Sequence, residues 1–437
     1  MRPTALPPGP SAGPLAQTVA FHRDPLGVLQ RARSRYGDVF TMRLATARPV
    51  VVVAAPEEAG PLLHADPGVA RAGSARRAIL PLASPRSVFG GDGAARAAAC
   101  APIAGAFAPA AVARHAAAMA RIAERHALAW PRGRPFRLLE RMRALVDEVF
   151  VRLMLGVEDE ARLAALCAAL RRMLWTPGNP PLSVPGEGDG LMGAIGRRVF
   201  DRRHAPLTRL LAAEVERRRG DPPDDVVGRV LRADPGKRGE DVADELLVLL
   251  AAAQEPPAVG LTRVLDRLAR APELVERYAT ERDAIVAETL RLHPPAVAGL
   301  RRLAEPRTLA GHRLPAGVVT MVPIPLLHRD PRAFPAPDAF APERWQCAPA
   351  APYLPFGDGA RRCLGEHLAR TYFAAIVPAI LGRVRLRALW PRPERMVLRG
   401  TILVPHRSGL AVATLRERPI RSEDASPCIS SLATRRT

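Results

Sequence analysis

The chain has 437 residues, 48% of them hydrophobic and 24% charged, so it can bury a large core and lacks the composition of a disordered chain. Its net charge of +21 comes almost entirely from arginines spread along helical segments without interleaved aromatics, which argues against nucleic-acid binding and favours an acidic protein partner or a plain solvated surface. Five widely spaced cysteines without a CxxC pair argue against a disulfide framework and a structural zinc site and fit a reducing cytoplasm.

The two ends of the chain differ from its body. Residues 1–20 are rich in proline and lack the basic and apolar segments of a signal peptide. No apolar run reaches the ~18 residues that a membrane span needs. We therefore expect an N-terminal extension over 1–20, one domain over 21–415 and a disordered polar tail over 416–437.

The first elements of the domain are short. A helix is predicted over 24–36, a hairpin with strands over 38–44 and 49–54, and a second helix over 56–64. Helical spacing of Ala, Leu and Arg then predicts long helices over 94–106, 109–126, 138–155, 159–174, 190–219, 239–270 and 272–291. The proline- and glycine-rich stretch 175–190 is predicted to be a loop between two of them.

The pattern changes after Leu292, where proline-rich turns separate short apolar runs. A strand is predicted near 318–325, a last long helix over 364–382, and short strands over 386–415. The predicted fold class is mainly α with small β-sheets.

The segment 355–365 carries the chemistry and reads Pro-Phe-Gly-Asp-Gly-Ala-Arg-Arg-Cys-Leu-Gly. Gly357 and Gly359 permit positive φ and a tight loop. The loop places Cys363 just before a helix, whose N-terminal N–H groups stabilise a thiolate. Gly365 has no side chain and lets the backbone approach a flat cofactor. For these residues alone, a thiolate metal ligand and a buried structural cysteine both remain open.

The complete segment resembles the haem-binding loop of the cytochrome P450 family, Phe-Gly-x-Gly-x-Arg-x-Cys-x-Gly. The resemblance implies a triangular helical prism around haem b, with Cys363 as the thiolate ligand of the iron. It implies haem contacts for Phe356, Gly357 and Gly365, and a propionate contact for Arg361. It also implies a monooxygenase that oxidises a small hydrophobic molecule with O₂ and electrons from a ferredoxin or flavodoxin and its reductase.

Further family signatures lie upstream. Glu288 and Arg291, followed by Leu-His-Pro-Pro, resemble the Glu-x-x-Arg helix, and Arg344 lies in a segment that resembles the Pro-Glu-Arg-Phe element with Trp in the last place. The resemblance implies a buried ion network of these three residues that supports the haem loop. Arg301 matches the strand arginine that binds a haem propionate, with Arg302 as the neighbouring alternative.

The helix expected to cross the distal haem face departs from the family. Members usually show Ala-Gly-x-Asp/Glu-Thr, whereas residues 252–257 read Ala-Ala-Gln-Glu-Pro-Pro. Pro256 replaces the threonine that helps to deliver protons for O–O cleavage, and we expect it to kink the helix. Ala252 is expected to face the haem. Gln254 and Glu255 are expected to route protons through water held on freed backbone carbonyls, with a hydroxyl of the substrate as the other source. A kink without effect on activity is the alternative.

A second departure concerns the helix near residue 100. The family pattern there has His and, four residues later, Arg, both reaching the propionates, whereas this chain has Arg96 and Cys100. Arg96 can replace the His, with a solvated surface arginine as the alternative. Cys100 cannot replace the Arg, so one propionate contact is lost or supplied elsewhere.

Apolar segments are expected to form the substrate pocket, at 72–90, 174–192, 297–300 and 322–325, which predicts an apolar ligand. The resemblance to soluble bacterial members implies a cytoplasmic monomer of secondary metabolism. Two alternatives remain. One is a P450 that performs coupling, desaturation or rearrangement, motivated by Pro256. The other is a non-catalytic helper protein of the same fold, against which the complete loop around Cys363 argues.

Overall fold

The computed structural model describes residues 6–45, 49–77, 84–175, 191–346 and 353–416. Its helices are α1 Pro14–Arg23, α2 Pro25–Tyr36, α3 Pro56–His64, α4 Ala72–Arg77, α5 Gly93–Ala104, α6 Pro109–Ala113, α7 Ala116–Leu128, α8 Leu138–Val149, α9 Glu160–Trp175, α10 Leu191–Arg218, α11 Val226–Ala233, α12 Gly239–Arg270, α13 Glu273–Leu292, α14 Ile324–Leu327 and α15 Glu366–Arg383. Its strands are β1 Val39–Met42, β2 Val50–Val53, β3 Ala70–Arg71, β4 Pro135–Arg137, β5 Ala298–Leu303, β6 Arg307–Leu309, β7 His312–Leu314, β8 Val319–Pro323, β9 Val384–Ala388, β10 Met396–Arg399, β11 Ile402–Pro405 and β12 Leu410–Leu415. The predicted fold class, mainly α with small sheets, is confirmed.

The largest sheet has five strands in the order β1-β2-β8-β5-β3. Strands β2 and β8 are parallel, and the other neighbours are antiparallel. The four valines of β2 are all buried, as expected for a strand covered on both faces. Within this sheet, Arg301 of β5 lies opposite Thr320 of β8, which fixes the direction of its side chain.

A bundle of helices forms the main core. Helix α7 packs against α15, α8 packs against α12, and α12 also contacts α15. The buried side of α8 repeats at helical spacing through Leu138, Met142, Leu145 and Val149. This packing fixes the relative positions of α12 and α15, which carry the two walls of the site.

Helix α12 continues through Pro256 and Pro257, so the prolines do not end it, and the bend that the sequence predicts there stays a prediction. An interior proline costs about 3 kcal/mol in a helix, but both halves of α12 are buried and their packing offsets that cost. The prolines still remove two N–H donors. The carbonyl of Ala253 therefore has no N–H partner at i+3 or i+4, and the carbonyl of Ala252 has none at i+4.

Several predicted boundaries differ from the structure. Helix α1 runs across residue 20, and Thr41 donates hydrogen bonds to the carbonyls of Pro7 and Pro8 at 2.7 and 3.0 Å, so the described part of 1–20 packs on the domain. The helix predicted over 109–126 is divided into α6 and α7, and α11 was not predicted. Residues 176–190 of the predicted loop, and the tail after 416, lie outside the described residues.

Within the described ranges, no helix combines the length and the apolar character that crossing a membrane requires.

Candidate active site

A cavity of about 1260 Å³ lies between α12 and the segment that leads into α15. Ala252, Ala253 and Pro256 line one wall, and Phe356 and Cys363 line the other. The volume exceeds the roughly 300–1,000 Å³ of a typical small-molecule site. The cavity therefore has room for a flat cofactor together with a second ligand.

Two glycines shape the loop before Cys363. Gly357 has φ +69° and Gly359 has φ +63°, a region that side chains disfavour. A Cβ atom at Gly359 would lie 2.7 Å from the carbonyl oxygen of Leu63, so a larger residue would displace the loop. The Cys363 N–H donates to the carbonyl of Phe356 at 2.8 Å and closes the turn. As a result, the cysteine stands just before α15 with its side chain open to the cavity.

The surroundings of Cys363 keep its thiol neutral as long as no metal ion is bound. Burial raises the pKa of the Cys363 thiol, and the N–H of Gly365 opposes that rise. A free thiol there stays protonated at neutral pH, whereas a bound metal ion removes the thiol proton. Among the described residues, no group of three or more His, Cys, Asp or Glu side chains can hold a metal ion. A single cysteine ligand fits a metal that arrives with other ligands of its own.

Four arginines converge on one side of the cavity: Arg76 of α4, Arg96 of α5, Arg301 of β5 and Arg361 of the cysteine loop. Burial, and then the charges of the other three, lower the pKa of Arg76 to about 9. Burial and Arg361 lower the pKa of Arg301 to about 10. Asp92 is the acid that acts on this group, and it pairs with Arg361 at 2.7 Å. A surplus of buried cations is costly unless an anion joins them, so the group fits an anionic ligand.

The predicted propionate ligands differ in their positions and in their hydrogen-bond partners. Arg301 is 3% exposed, lines the cavity and donates to the carbonyl of Leu63 at 2.6 Å, whereas Arg302 does not line the cavity. The Nε atom of Arg96 is buried without a partner in the described part of the chain. The guanidinium of Arg361 is held by Asp92, an ion pair that the sequence did not predict.

Arg76 was missed by sequence reasoning. It occupies the cavity beside Arg96, from a helix that the sequence placed in an apolar loop. The one signal that pointed to it was Cys100, because the lost arginine at that position required a replacement from elsewhere.

On the distal wall, the predicted proton-delivering residues take different positions. Glu255 is buried and accepts two hydrogen bonds from Arg143 at 3.0 and 2.7 Å. Burial raises the pKa of Glu255, and the Arg143 guanidinium opposes the rise. Because both carboxylate oxygens are held by this ion pair, Glu255 is not a free donor to the cavity. Gln254 is buried, lines the cavity, and neither amide atom has a partner among the described residues.

Behind the cysteine wall, Glu288 joins the predicted network. Arg291 donates to both of its oxygens at 2.8 Å, and Arg344 donates to one of them at 3.0 Å. The backbone N–H of Ala341 and the indole N–H of Trp345 add bonds of 2.9 and 3.0 Å. Burial alone would raise the pKa of Glu288, but the bonds from Arg291 and Ala341 leave it below the usual value.

Residues 282–410 match the family model for cytochrome P450. The chain is 32% identical to cytochrome P450 135B1 of Mycobacterium tuberculosis, over 96% of this chain and 93% of that protein. The chain belongs to the cytochrome P450 family. A second relative, cyclooctat-9-en-7-ol 5-monooxygenase of Streptomyces melanosporofaciens, is 30% identical over 59% of the P450 described here and 63% of its own length.

Solved structures agree on the fold of this P450. Retinoic acid-bound cyanobacterial CYP120A1 superposes with a TM-score of 0.79 at 20% identity, covering 95% of this chain and all of that one. A mutant of P450 EryK in complex with erythromycin B gives a TM-score of 0.71 at 23% identity, covering 95% and 99%. As a family member, this P450 is an oxidoreductase with a haem cofactor, and the donor set fits that group: one thiol, a cavity of about 1260 Å³ and a cluster of arginines for the two propionates.

Proposed function

We propose that this P450 transfers one oxygen atom of O₂ to a small hydrophobic molecule, R–H + O₂ + 2 e⁻ + 2 H⁺ → R–OH + H₂O. The haem supplies reductive O₂ activation, for which a thiolate ligand favours O–O cleavage. Cys363 would hold the iron, and Phe356, Gly357 and Gly365 would cradle the ring. The observation that carries the proposal is the Cys363 side chain, which opens into the cavity opposite Ala252.

Three of the arginines in the cavity would hold the propionates. Arg76, Arg96 and Arg301 line the site and form no ion pair with a carboxylate among the described residues. Arg361 would support them through Asp92, because that pair fixes the loop next to the cavity. Arg76 would thus supply the contact that Cys100 cannot make.

The substrate would be hydrophobic, because the remaining walls are apolar. Ala298 and Leu300 from the predicted segment 297–300 line the cavity, as do Ile324 from 322–325 and Val88 from 72–90. Such walls exclude water and select ligands by shape. The segment 174–192 lies largely outside the described residues. A relative named for oxidation of cyclooctat-9-en-7-ol supports a secondary-metabolism substrate, and the bacterial relatives support a cytoplasmic enzyme.

Electrons would come from an external ferredoxin or flavodoxin with its reductase, with the enzyme as a monomer. Arg362 of the cysteine loop and Arg370 of α15 have side chains that are 51% and 45% exposed, and both pair with Glu366. Their exposed guanidinium groups suit the docking of an acidic protein, which electrostatic attraction would orient.

A second candidate is a P450 that couples, desaturates or rearranges its substrate. Pro256 offers no hydroxyl, and Glu255 is bound on both oxygens by Arg143, so neither member of the usual distal acid and alcohol pair is free. A redox-neutral rearrangement needs no O–O cleavage and would tolerate this loss most readily, whereas coupling and desaturation need the same two protons as oxygen transfer. The non-catalytic helper is disfavoured by the open cavity and the accessible Cys363.

The absorbance of the dithionite-reduced protein under carbon monoxide tests the proposal. We expect the red-shifted Soret band of thiolate ligation in the wild type and its loss in Cys363→Ser, with Cys167→Ser as a buried control that keeps the band. A histidine-type band, or a protein that binds no haem, would overturn the proposal. Incubation with ¹⁸O₂ then separates the two candidates, because only oxygen transfer labels the product.

A further inference from the structure

A second buried acid, Asp147, lies behind the distal wall of the cavity. It is fully buried on α8, which packs against α12, and neither of its oxygens has a hydrogen-bond partner among the described residues. Two neighbours share this condition: both amide atoms of Gln254 on α12 and the hydroxyl of Tyr372 on α15 are also buried and unpartnered there. Gln254 and Tyr372 line the cavity, so the cluster connects Asp147 to the site.

Such a concentration of unpartnered polar atoms needs a physical reason, because buried polar groups in native proteins are nearly always hydrogen-bonded. A permanent carboxylate at Asp147 would require a bound cation. Arg143, one turn earlier on the same helix, places two of its donors on Glu255 instead. Asp147 is therefore stable as a neutral acid and costly as an ion, which is the condition for a group that stores a proton.

Every element around Asp147 contributes to its titration. The titratable and charged groups that act on it are Arg143 on α8, Cys167 and Arg171 on α9, Glu255 on α12, and Tyr372 on α15. Burial, which is the largest influence, raises the pKa of Asp147 to about 7, while the Gln254 amide and Arg171 lower it. Burial raises the pKa of Cys167 to about 12 and raises that of Tyr372, so both stay protonated when Asp147 ionises.

Gln254 is placed to connect this acid to the cavity. Its carboxamide is both a donor and an acceptor, so Oε1 can accept the Asp147 O–H while Nε2 donates to water at the distal wall. The adjacent carbonyl of Ala253, which has no helical N–H partner at i+3 or i+4, can hold that water. In a helix with threonine in place of Pro256, the hydroxyl at that position would hold this water.

We propose that Asp147 is the proton store for oxygen activation in this P450 and acts through Gln254, whose amide takes the place of the missing distal hydroxyl. The inference rests on the proposed monooxygenase function. In each delivery the Asp147 O–H bond breaks as Gln254 Oε1 gains that proton, and an Nε2–H bond breaks as its proton passes to water at the cavity wall. A carboxylate and the imidic form of the Gln254 amide remain. Before the next delivery a proton from solvent returns to Nε2 and the Oε1 proton returns to Asp147, which restores the amide and the acid. The two electrons come from the external donor, and none passes through Asp147.

The decisive variant is Asp147→Asn in the full-length haem-loaded protein, because asparagine keeps the shape and cannot ionise. Infrared difference spectra of the resting protein at stepped pH are expected to show a carboxyl C=O band that titrates near pH 7 in the wild type and is absent in the variant. Glu148→Gln is the matched control: it is the next residue on α8, and its carboxylate pairs with Arg125 and His126. The titrating band should persist in the control.

The functional readout is the share of donor electrons that leaves as hydrogen peroxide. In the wild type this share is expected to rise with pH as Asp147 loses its proton. In Asp147→Asn it should be high and independent of pH, with a loss of productive turnover of roughly 100-fold, the lower range for a missing proton donor. A wild type without the titrating band, or a variant with an unchanged pH profile, would overturn the inference.

Gln254→Leu keeps the test valid if Asp147→Asn does not load haem. It leaves the acid in place and removes the link, so the titrating band should remain while the pH dependence of peroxide release disappears. Unchanged peroxide release in Gln254→Leu would refute the route through the amide. The carbon monoxide spectrum is recorded on every sample. If the thiolate band is present and peroxide release does not change as expected, only the proton store is rejected. If the thiolate band is absent from the wild type, the monooxygenase proposal itself fails.

Discussion

Glu288 and Asp147 are equally buried, but their surroundings are opposite. Glu288 accepts bonds from two arginines, a backbone N–H and an indole, whereas the Asp147 oxygens accept no hydrogen bond within distance among the described residues, and only the nearby Gln254 amide and the charges of Arg171 and Arg143 oppose the effect of burial. The pKa of Glu288 is accordingly lowered, and that of Asp147 is raised to about 7. The difference shows that burial alone does not fix the charge of an acid; the number of donors that face it decides.

The comparison also separates two uses of buried charge. A carboxylate held by several donors stays ionised at all physiological pH values and fixes the positions of its partners. A carboxyl without donors changes its charge near neutrality and can take part in proton transfer. We expect the first kind of acid to be revealed by loss of folding and the second by pH dependence.

The largest effect is expected from Glu288→Gln. The change removes the charge that Arg291 and Arg344 share and leaves buried cations, so the free energy of unfolding should fall by about 3–5 kcal/mol. Denaturant titration with haem absorbance as the probe measures this loss. Glu343→Gln, an exposed acid paired with Arg277 at 2.7 Å, is the control and should cost at most about 1 kcal/mol. Equal losses in both variants would mean that the network is not a scaffold.

The next effect concerns Asp147 and pH. Its pKa is about 7 in the folded protein and 3.8 in the reference state, so folding favours the protonated form. The contribution of Asp147 to stability is complete below about pH 4, falls as pH rises, and is lost above pH 7, by up to about 4 kcal/mol. The unfolding free energy of Asp147→Asn should therefore rise relative to wild type over this interval. A constant difference across pH would place the native pKa near its ordinary value.

The smallest effect is expected from Arg76→Met. Removal of a cation that faces a propionate should weaken haem binding by about 1.5–3 kcal/mol, the contribution of a charged hydrogen bond. The stability of the haem-free protein should not fall, because repulsion among Arg76, Arg96 and Arg301 is relieved. Haem transfer to an acceptor protein measures the affinity. Arg71→Met, an exposed residue on β3, should leave both quantities unchanged, and a matching loss there would rule out a specific role for Arg76.

Local sequence was sufficient where the relevant residues are close in the chain. The cysteine loop and the pair Glu288 and Arg291 depend on short-range spacing, and the structure brings Arg344 to the same carboxylate. Arg143 and Asp147 could not be identified this way. Arg143 meets Glu255 across 112 positions, through the packing of α8 on α12, and nothing in the α8 sequence indicates which polar residues face inward at that contact.

The two prolines of α12 show a local rule that tertiary packing partly overrides. A local rule for Pro256 was correct about the missing N–H and about the loss of a hydrogen bond. Both halves of the helix are buried, and their packing offsets the cost of the prolines, so the helix does not end there. The prediction about the boundary at residue 20 differs for a similar reason, because the carbonyls of Pro7 and Pro8 are bound by Thr41 from a later strand.

The doubled proline in α12 also limits how this enzyme can be re-engineered. Pro256→Thr would introduce the hydroxyl and return an N–H to the carbonyl of Ala252, but Pro257 would still deny Ala253 its regular partner. A single reversion therefore yields a hybrid wall with both a hydroxyl and an exposed carbonyl competing for the same water. Restoring the usual distal helix therefore takes replacement of Pro256 and Pro257 together. A variant with only one of the two prolines replaced has neither the regular helical hydrogen bonds nor the present arrangement of free carbonyls.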